Sequence, residues 1–544
     1  MFLFIHPMQK KLFFLFSVAL LMSSILLAQE PWKRFFHSPV YESFSYQVIE
    51  NYDGGYLLGG VLKRQDGLWP GWVVKTDING MLQWQKIISG EKESPSWSIS
   101  KTDDNGFIIG GRFYNGQKYD AYVMKLNACA EPEWCSFLAE EDGESSEIYP
   151  AIHQLHDGSY ICERLKRVFD QHHRWSLIKL RANGTIDWVN YFDLNTSYWA
   201  QIDVDMKLTT DTCFLVTSSV YDTIRPDGAL SEMPLWYKVD NDGNLLWETK
   251  WELSEIESGA QSRVSVEDVN GNYYSGGYIS PWKTSHIYKL GHDGDTLSRF
   301  RFYDPILAYS GGQINTFNYV NDTTLLVGSQ FWDTPEGNHW AFSLSDTLGA
   351  IRKRIFEKEQ IQFGMSLITS DNKIVAIGVT DSQYPGHPSM VGLYKFNSNL
   401  EYDSIYTMPR TYDSLCPYPI VSDTIPMPGI CTFVSLPEPV NKSDLLQIKV
   451  YPNPASEYVT IEIPEFSIST TKGGYVTQQQ FRPLTGEVQL SIIDLSGQIV
   501  KTEAFDASER NHVITVNMLT PGLYMLHLTQ KGKFVAKGKV MVVR

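Results

Sequence analysis

At 544 residues the chain is longer than one ordinary hydrophobic core supports, so several domains or one large repeat domain are expected. An apolar fraction of 43% against 20% charged residues excludes a disordered chain, and 13% aromatic residues suit strands better than helices. A net charge of −16 with no long basic run argues against nucleic acid and anionic membrane surfaces as partners.

The N-terminus has the layout of an export signal. Lys10 and Lys11 precede the apolar run "LFFLFSVALLMSSILLA" (12–28), which ends on the small residue Ala28, so residues 1–28 are expected to be a signal peptide. Met8 is an alternative start. The run is short for a membrane anchor, and no later segment approaches the ~20 apolar residues of a span, so no transmembrane segment is expected after cleavage. No Cys stands at the cleavage point, which disfavours a lipid anchor.

From residue 44 onward one pattern recurs. Turn-and-strand pieces appear at "YDGGYLLGGVL" (52), "DDNGFIIGGRF" (103), "HDGSYICERL" (156), "TDTCFLVTSSV" (210), "VNGNYYSGGYI" (269), "NDTTLLVGSQF" (321) and "SDNKIVAIGVT" (370). Each is preceded by one apolar stretch, followed by a second ("GWVVKTD", "AYVMKLN", "LWYKVDN") and, after a further turn, by a third ("MLQWQKI", "TIDWVNYF"). Asn-Gly and Asp-Gly turns admit the positive φ of tight hairpins. Four short antiparallel strands per ~50 residues cannot cover both faces of their own sheet, and stacking the copies radially does. The predicted fold over residues 30–410 is therefore an all-β, seven-bladed β-propeller, with six or eight blades left open. Trp84, Trp188 and Trp247 each fall four residues after a turn glycine (Gly80, Gly184, Gly243), and Trp134 takes the comparable place in the second unit. A large ring at a fixed place in each repeat is expected to pack between neighbouring blades. The stretch "EPWKRFF" (30–36) is a final strand standing alone that could complete the last blade, and "LEYDSIY" (400–406) competes for that place.

The runs "VKTDINGMLQWQK" (74–86) and "YKVDNDGNLLWET" (237–249) resemble the repeat of quinoprotein-type propellers, with an Asp, a Gly turn and a Trp opening the outer strand. Catalytic members carry vicinal cysteines and a calcium-plus-quinone pocket. This chain has no adjacent Cys pair, so the resemblance implies a fold and no cofactor.

Six cysteines in an exported chain permit disulfides. Cys129 with Cys135 and Cys416 with Cys431 are close enough to pair locally. Cys162 and Cys213 sit at comparable points of consecutive repeats, where they could join neighbouring units or stay as free thiols.

Residues 411–445 are Pro-rich and without period, as expected of a linker or a semi-rigid extended cap. Beyond them, "IKVYPNPASEYVTIEIP" (448–464), "GEVQLSIIDLSGQIVKTEAF" (486–505) and the strands to residue 543 predict a small immunoglobulin-like β-sandwich over 446–544. Its words "YPNP" (451–454), "DLSGQIV" (494–500) and "PGLYMLHL" (521–528) resemble the type A sorting domain of the type IX secretion system of Bacteroidetes. The resemblance carries Tyr451, Pro452, Asn453, Pro454, Gly497, Pro521, Gly522 and Tyr524 over as motif residues. It implies recognition by the outer-membrane translocon, removal of the tail by a sortase-type protease, and release or attachment at the cell surface. The stretch 466–485 is longer than that family's usual second loop.

Chemistry-bearing motifs are sparse. "VDNDGN" (239–244) resembles the start of a calcium loop but lacks its glycine and bidentate Glu, so it is expected to be a turn. "DQHHR" (170–174) and the run Glu140, Glu141, Asp142, Glu144 and Glu147 are expected to be solvated loop. Asp-Ser/Thr-apolar triplets at Asp222, Asp295, Asp346, Asp403, Asp413 and Asp423 resemble the O-glycosylation acceptor of Bacteroidetes. No catalytic residue, metal site or cofactor is assigned. The expectation is an exported, non-catalytic propeller binding a surface glycan or protein. The alternative is a glycan-active hydrolase or a degenerate quinoprotein.

Overall fold

The structure is a computed structural model and describes residues 32–36, 42–89, 93–139, 145–167, 173–192, 205–224, 230–251, 259–280, 284–302, 312–334, 337–347, 351–357, 360–380, 389–435, 446–463, 465–472, 475–483, 486–494, 498–508, 510–530 and 533–544. The segment read as a signal peptide, 1–28, lies outside them. The described residues form strands and turns without a helix. Contacts divide the chain into two compact units, Met1–Asn190 with Thr196–Leu436, and Pro437–Arg544 with Tyr191–Asn195.

In the first unit the described strands form seven antiparallel sheets in sequence order, six of them starting from four consecutive strands. Sheet 1 is Glu42–Glu50, Tyr56–Lys63, Gly71–Thr76 and Leu82–Ser89; sheet 2 is Ser96–Lys101, Phe107–Tyr114, Tyr119–Leu126 and Pro132–Ala139. Sheets 3 to 6 begin with Ser145–Gln154, Asp205–Leu208, Gly259–Glu267 and Ile314–Asn321. Sheet 7 joins Gln360–Ile368, Ile374–Thr380 and Val391–Phe396 to the N-terminal strand Lys33–Phe36, which pairs antiparallel with Val391–Tyr394. Each sheet's first strand packs against the first strand of the next, and that of sheet 7 packs back on sheet 1. This is a propeller-like all-β arrangement.

The N-terminal strand thus takes the closing place for which 400–406 competed. Tyr402 makes only an isolated bridge to Phe396. The reason lies in burial. Trp32 is fully buried in an apolar cluster with Phe36, Tyr56, Leu58, Val375 and Leu393, side chains drawn from sheets 7 and 1. Ile405 and Tyr406, in contrast, stay exposed.

The glycine pairs of the repeat have a packing cause. A Cβ on Gly59 would lie 2.9 Å from Ile99 Cγ2 of sheet 2, and one on Gly60 would collide with the Phe44 carbonyl of its own sheet. Gly60 opposes Ser45 where the register shifts between Ser45 and Gln47. The glycines let the second strand sit tightly between a bulged first strand and the neighbouring sheet.

Residues 411–435 are a strap bonded to the first two sheets. Asp423–Pro426 adds to sheet 1 as a fifth, parallel strand beside Lys86–Ser89, and Cys431–Ser435 adds likewise to sheet 2 beside Cys135–Ala139. Within this stretch, 411–435 thus adds edge strands to the first two sheets, and 436–445 lie outside the described residues.

The second unit has a five-stranded sheet (Leu446–Gln447, Lys533–Val542, Gly522–Gln530, Glu487–Ile493, Ile499–Asp506) and a three-stranded one (Lys449–Tyr451, Tyr458–Glu462, Asn511–Thr515). Their alternating inward residues, among them Val459, Ile461, Leu490, Ile514, Leu526 and Val540, form one core. The long insertion at 466–485 pairs as a hairpin of its own, Glu465–Lys472 with Tyr475–Pro483.

Candidate functional site

In sheets 1 to 4 and 7 the turn between the first and second strands supplies an Asp (Asp53, Asp104, Asp157, Asp211, Asp371), and the third strand supplies a Lys (Lys75, Lys125, Lys179, Lys238, Lys395) that the strand pleat turns inward. Lys75 is fully buried and donates to Asp53 at 2.6 and 2.8 Å. Lys125 does the same with Asp104 (2.7 Å) and Glu133 (2.8 Å), and Lys238 with Asp211 (2.6 Å) and the Tyr273 hydroxyl (2.8 Å). Partial burial opposes ionisation of Asp211, but Lys238 and the Thr209 hydroxyl outweigh it and hold that carboxyl down at about 2. Sequence reading passed over these lysines. The signal was there, because "VKTD", "MKLN", "YKVD" and "YKFN" keep Lys at one place in an apolar strand.

In sheets 1 and 7 the strap region supplies a further carboxylate. Asp413 Oδ1 lies 3.8 Å from Lys75 Nζ while its Oδ2 accepts from Trp84 Nε1 at 3.0 Å. Asp403 pairs with Lys373 (2.9 Å) and Lys395 (3.6 Å), and Asp423 with Lys86 (2.6 Å). Three of the Asp-Ser/Thr-apolar triplets therefore lie ten residues apart along the chain, each with its Asp on a propeller lysine.

Two disulfides fasten the same segment, but not as the spacing suggested. Cys129 pairs with Cys416 and Cys135 with Cys431, in place of the local pairs Cys129–Cys135 and Cys416–Cys431. The parallel pairing of Cys431 directly opposite Cys135 imposes this connectivity. Cys162 and Cys213 are free thiols, the first buried; burial pushes its thiol far above the ordinary range.

Each blade tryptophan lies over the turn of the next sheet. A Cβ on Gly184 would lie 2.7 Å from Trp134 Cδ2, one on Gly243 2.6 Å from the Trp188 ring, and one on Gly294 2.6 Å from the Trp247 ring. Trp84 is buried in one cluster with Ala130, which occupies the corresponding turn at φ 57°. Trp32 over Gly80 is a fifth member that the sequence reading missed, because its repeat is split between the two ends of the propeller.

One buried acid stands apart. Glu163, on the second strand of sheet 3, is fully buried; its Oε1 accepts a long 3.5 Å bond from the Tyr237 hydroxyl of sheet 4, and Oε2 has no partner among the described residues. Burial, then the Asp205 charge, push its carboxyl well above the usual range.

The remaining sequence candidates fall as follows. Asp240 of "VDNDGN" accepts from the Asp242 and Asn244 amides at 2.9 and 2.8 Å, which makes it a turn cap. His173 and Arg174 lie on the strand His173–Leu180, and Asp170, Gln171 and His172 lie outside the described residues, as do Glu140, Glu141, Asp142 and Glu144.

In the second unit the motif words are turn and edge devices. The Tyr451–Pro452 and Asn453–Pro454 peptides are cis. The Asn453 side chain bridges the last strand, donating to the Lys539 carbonyl at 3.0 Å and accepting from the Met541 amide at 2.9 Å. It stands in for a backbone residue between Gln447 and Ala455, both of which touch that strand directly. The edge of the last strand is thereby covered. Tyr451 donates to Asn511 Oδ1 at 3.1 Å, linking two strands of the smaller sheet. Tyr524 donates back to the Thr520 carbonyl at 2.7 Å, bracing the turn that carries Pro521 and Gly522. Gly497 lies outside the described residues.

These features define a β-rich tail module built as a compact unit of its own. Residues 449–543 match the family model of the secretion system C-terminal sorting domain. The protein is thus delivered by the type IX secretion system, with which this domain interacts, to the cell surface or the extracellular space. No curated protein matches the chain. Among solved structures, an unknown-function protein of Dyadobacter fermentans is similar at 11% identity and a TM-score of 0.42, covering 68% of this chain and 98% of its own. A neuraminidase-like protein of A/flat-faced bat/Peru is similar at 11% identity and a TM-score of 0.37, covering 70% and 97%. Sqt1 from Chaetomium thermophilum is similar at 12% identity and a TM-score of 0.40, covering 70% and 86%. No helix among the described residues is long and apolar enough to cross a membrane.

Proposed function

We propose that the chain is an exported binding or scaffold protein: a seven-bladed β-propeller over residues 30–410, held by the 411–435 strap. Its immunoglobulin-like sorting sandwich (446–544) is recognised by the translocon and removed by the sortase. The observation that carries the reading is the asymmetry of the propeller's two ends. Strand alternation sends all the short Asp/Asn-Gly turns to one end, where they are occupied by Lys–Asp pairs and the strap. The opposite end receives the connections between second and third strands, such as 64–70 and 115–118, which differ in length and sequence from repeat to repeat. A rigid scaffold presenting variable loops at one end is a binding architecture. A surface glycan or protein is the ligand class that such a surface suits. The test is a glycan array with the full chain alongside a polysaccharide-hydrolase screen. Saturable glycan binding without turnover is expected; turnover of any polysaccharide contradicts the binding role.

A further inference from the structure

Three junctions between sheets share one latch. Where sheet 7 meets sheet 1, Glu50 accepts from the Ser370 amide (2.7 Å) and hydroxyl (2.8 Å). Where sheet 4 meets sheet 5, Glu267 accepts from the Thr210 amide (2.6 Å) and hydroxyl (3.0 Å). Where sheet 2 meets sheet 3, Gln154 accepts from the Asp103 amide at 2.7 Å. In each case the acceptor ends a sheet's first strand, and the donor is the second residue of the preceding sheet's five-residue turn.

The junction of sheets 3 and 4 has the same backbone and lacks the acceptor. Leu208 stands where Glu50, Gln154 and Glu267 stand at the three latched junctions, and it is 42% exposed. The donor position is His156, whose amide makes no hydrogen bond among the described residues. At that point a pocket of about 190 Å³ opens, lined by Gln154, His156, Lys179, Leu208, Thr212 and Asn241, with Asp157 beside Lys179 at 3.5 Å. At ~30 Å³ per water this is room for several waters or one small organic acid.

We propose that this pocket binds the carboxylate of a small hydroxylated ligand, the chemistry of a uronic-acid sugar. The ligand carboxylate takes the place of the missing Glu, accepting from the His156 amide, and shares the Lys179 ammonium with Asp157. Gln154, Thr212 and Asn241 are neutral donors and acceptors suited to hydroxyl groups. The site lies at the turn end and is independent of the binding role assigned to the opposite end.

Glucuronate, with glucose as the neutral control, is titrated calorimetrically into the full chain. Saturable binding of glucuronate and none of glucose is expected. Leu208→Glu builds the latch internally, so it should weaken glucuronate binding at least about tenfold, as expected for losing hydrogen bonds to a charged group, and raise the melting temperature. Leu208→Met should leave binding unchanged, which separates occupation of the site from disturbance of the junction. Absence of saturable glucuronate binding to the parent chain, or equal binding by Leu208→Glu, overturns the proposal.

Discussion

Replacing Cys129, Cys135, Cys416 and Cys431 together by Ser removes the covalent hold of the strap while leaving its hydrogen bonds. The bridges span sequence separations of 287 and 296 residues. In the chain-entropy account, closing the first such loop stabilises the folded state by about 5–6 kcal/mol. Once it is closed, the second bridge closes a further loop of only about twenty residues and adds about 3 kcal/mol. Measured bridges usually give about 2–4 kcal/mol each, so a joint loss of about 4–8 kcal/mol is expected. A unit of roughly 400 residues, at about 2 cal/mol/K per residue, unfolds with an entropy near 0.8 kcal/mol/K. The loss therefore lowers the melting temperature by about 5–10 °C, read by calorimetry under non-reducing conditions. Peptide mapping of the parent protein should recover Cys129 joined to Cys416 and Cys135 joined to Cys431. Local Cys129–Cys135 or Cys416–Cys431 peptides, or a four-Ser variant melting within about 2 °C of the parent, would refute the strap as a lock.

Two further predictions concern the sheet junctions. Gly184→Ala places a methyl at φ 80° and against the Trp134 ring, and should cost about 2–4 kcal/mol in denaturant unfolding. In a Trp134→Ala background the same change should cost only about 1–2 kcal/mol, and equal costs in both backgrounds would remove the ring-over-turn contact from the account. For Glu163, the folded carboxyl titrates above its unfolded value of about 4.3, so the parent loses stability as pH rises from there through the folded value. Glu163→Gln, which cannot ionise, should gain in melting temperature relative to the parent as pH is raised from about 5, and a pH-independent difference would contradict a neutral buried acid.

The blade architecture was legible because it is written in local periodicities. A tight turn followed by a short apolar strand recurs seven times, and Trp84, Trp134, Trp188 and Trp247 mark one position of the repeat. The tail was legible through words such as "YPNP", whose Asn453 makes side-chain bonds that few other residues could replace. The strap was not. It has no period, and its ionic attachments are Asp413 and Asp423 meeting Lys75 and Lys86, which are distant in sequence. Disulfide connectivity is likewise a tertiary fact that four cysteine positions cannot specify. Glu163 looked like any polar residue of a strand, since only the neighbouring sheet decides that its face is buried. Leu208 reads in sequence as an ordinary end of a strand, and only the folded junctions place it where Glu50, Gln154 and Glu267 act as acceptors.

Export through the tail is the claim on which the location of the protein rests. The direct measurement is surface exposure in the producing cell of the full chain and of a chain lacking residues 446–544, scored by fractionation and protease accessibility. The full chain should reach the surface or medium with its tail removed, and the truncated chain should accumulate, folded, in the periplasm. Normal surface display of the truncated chain would contradict the account.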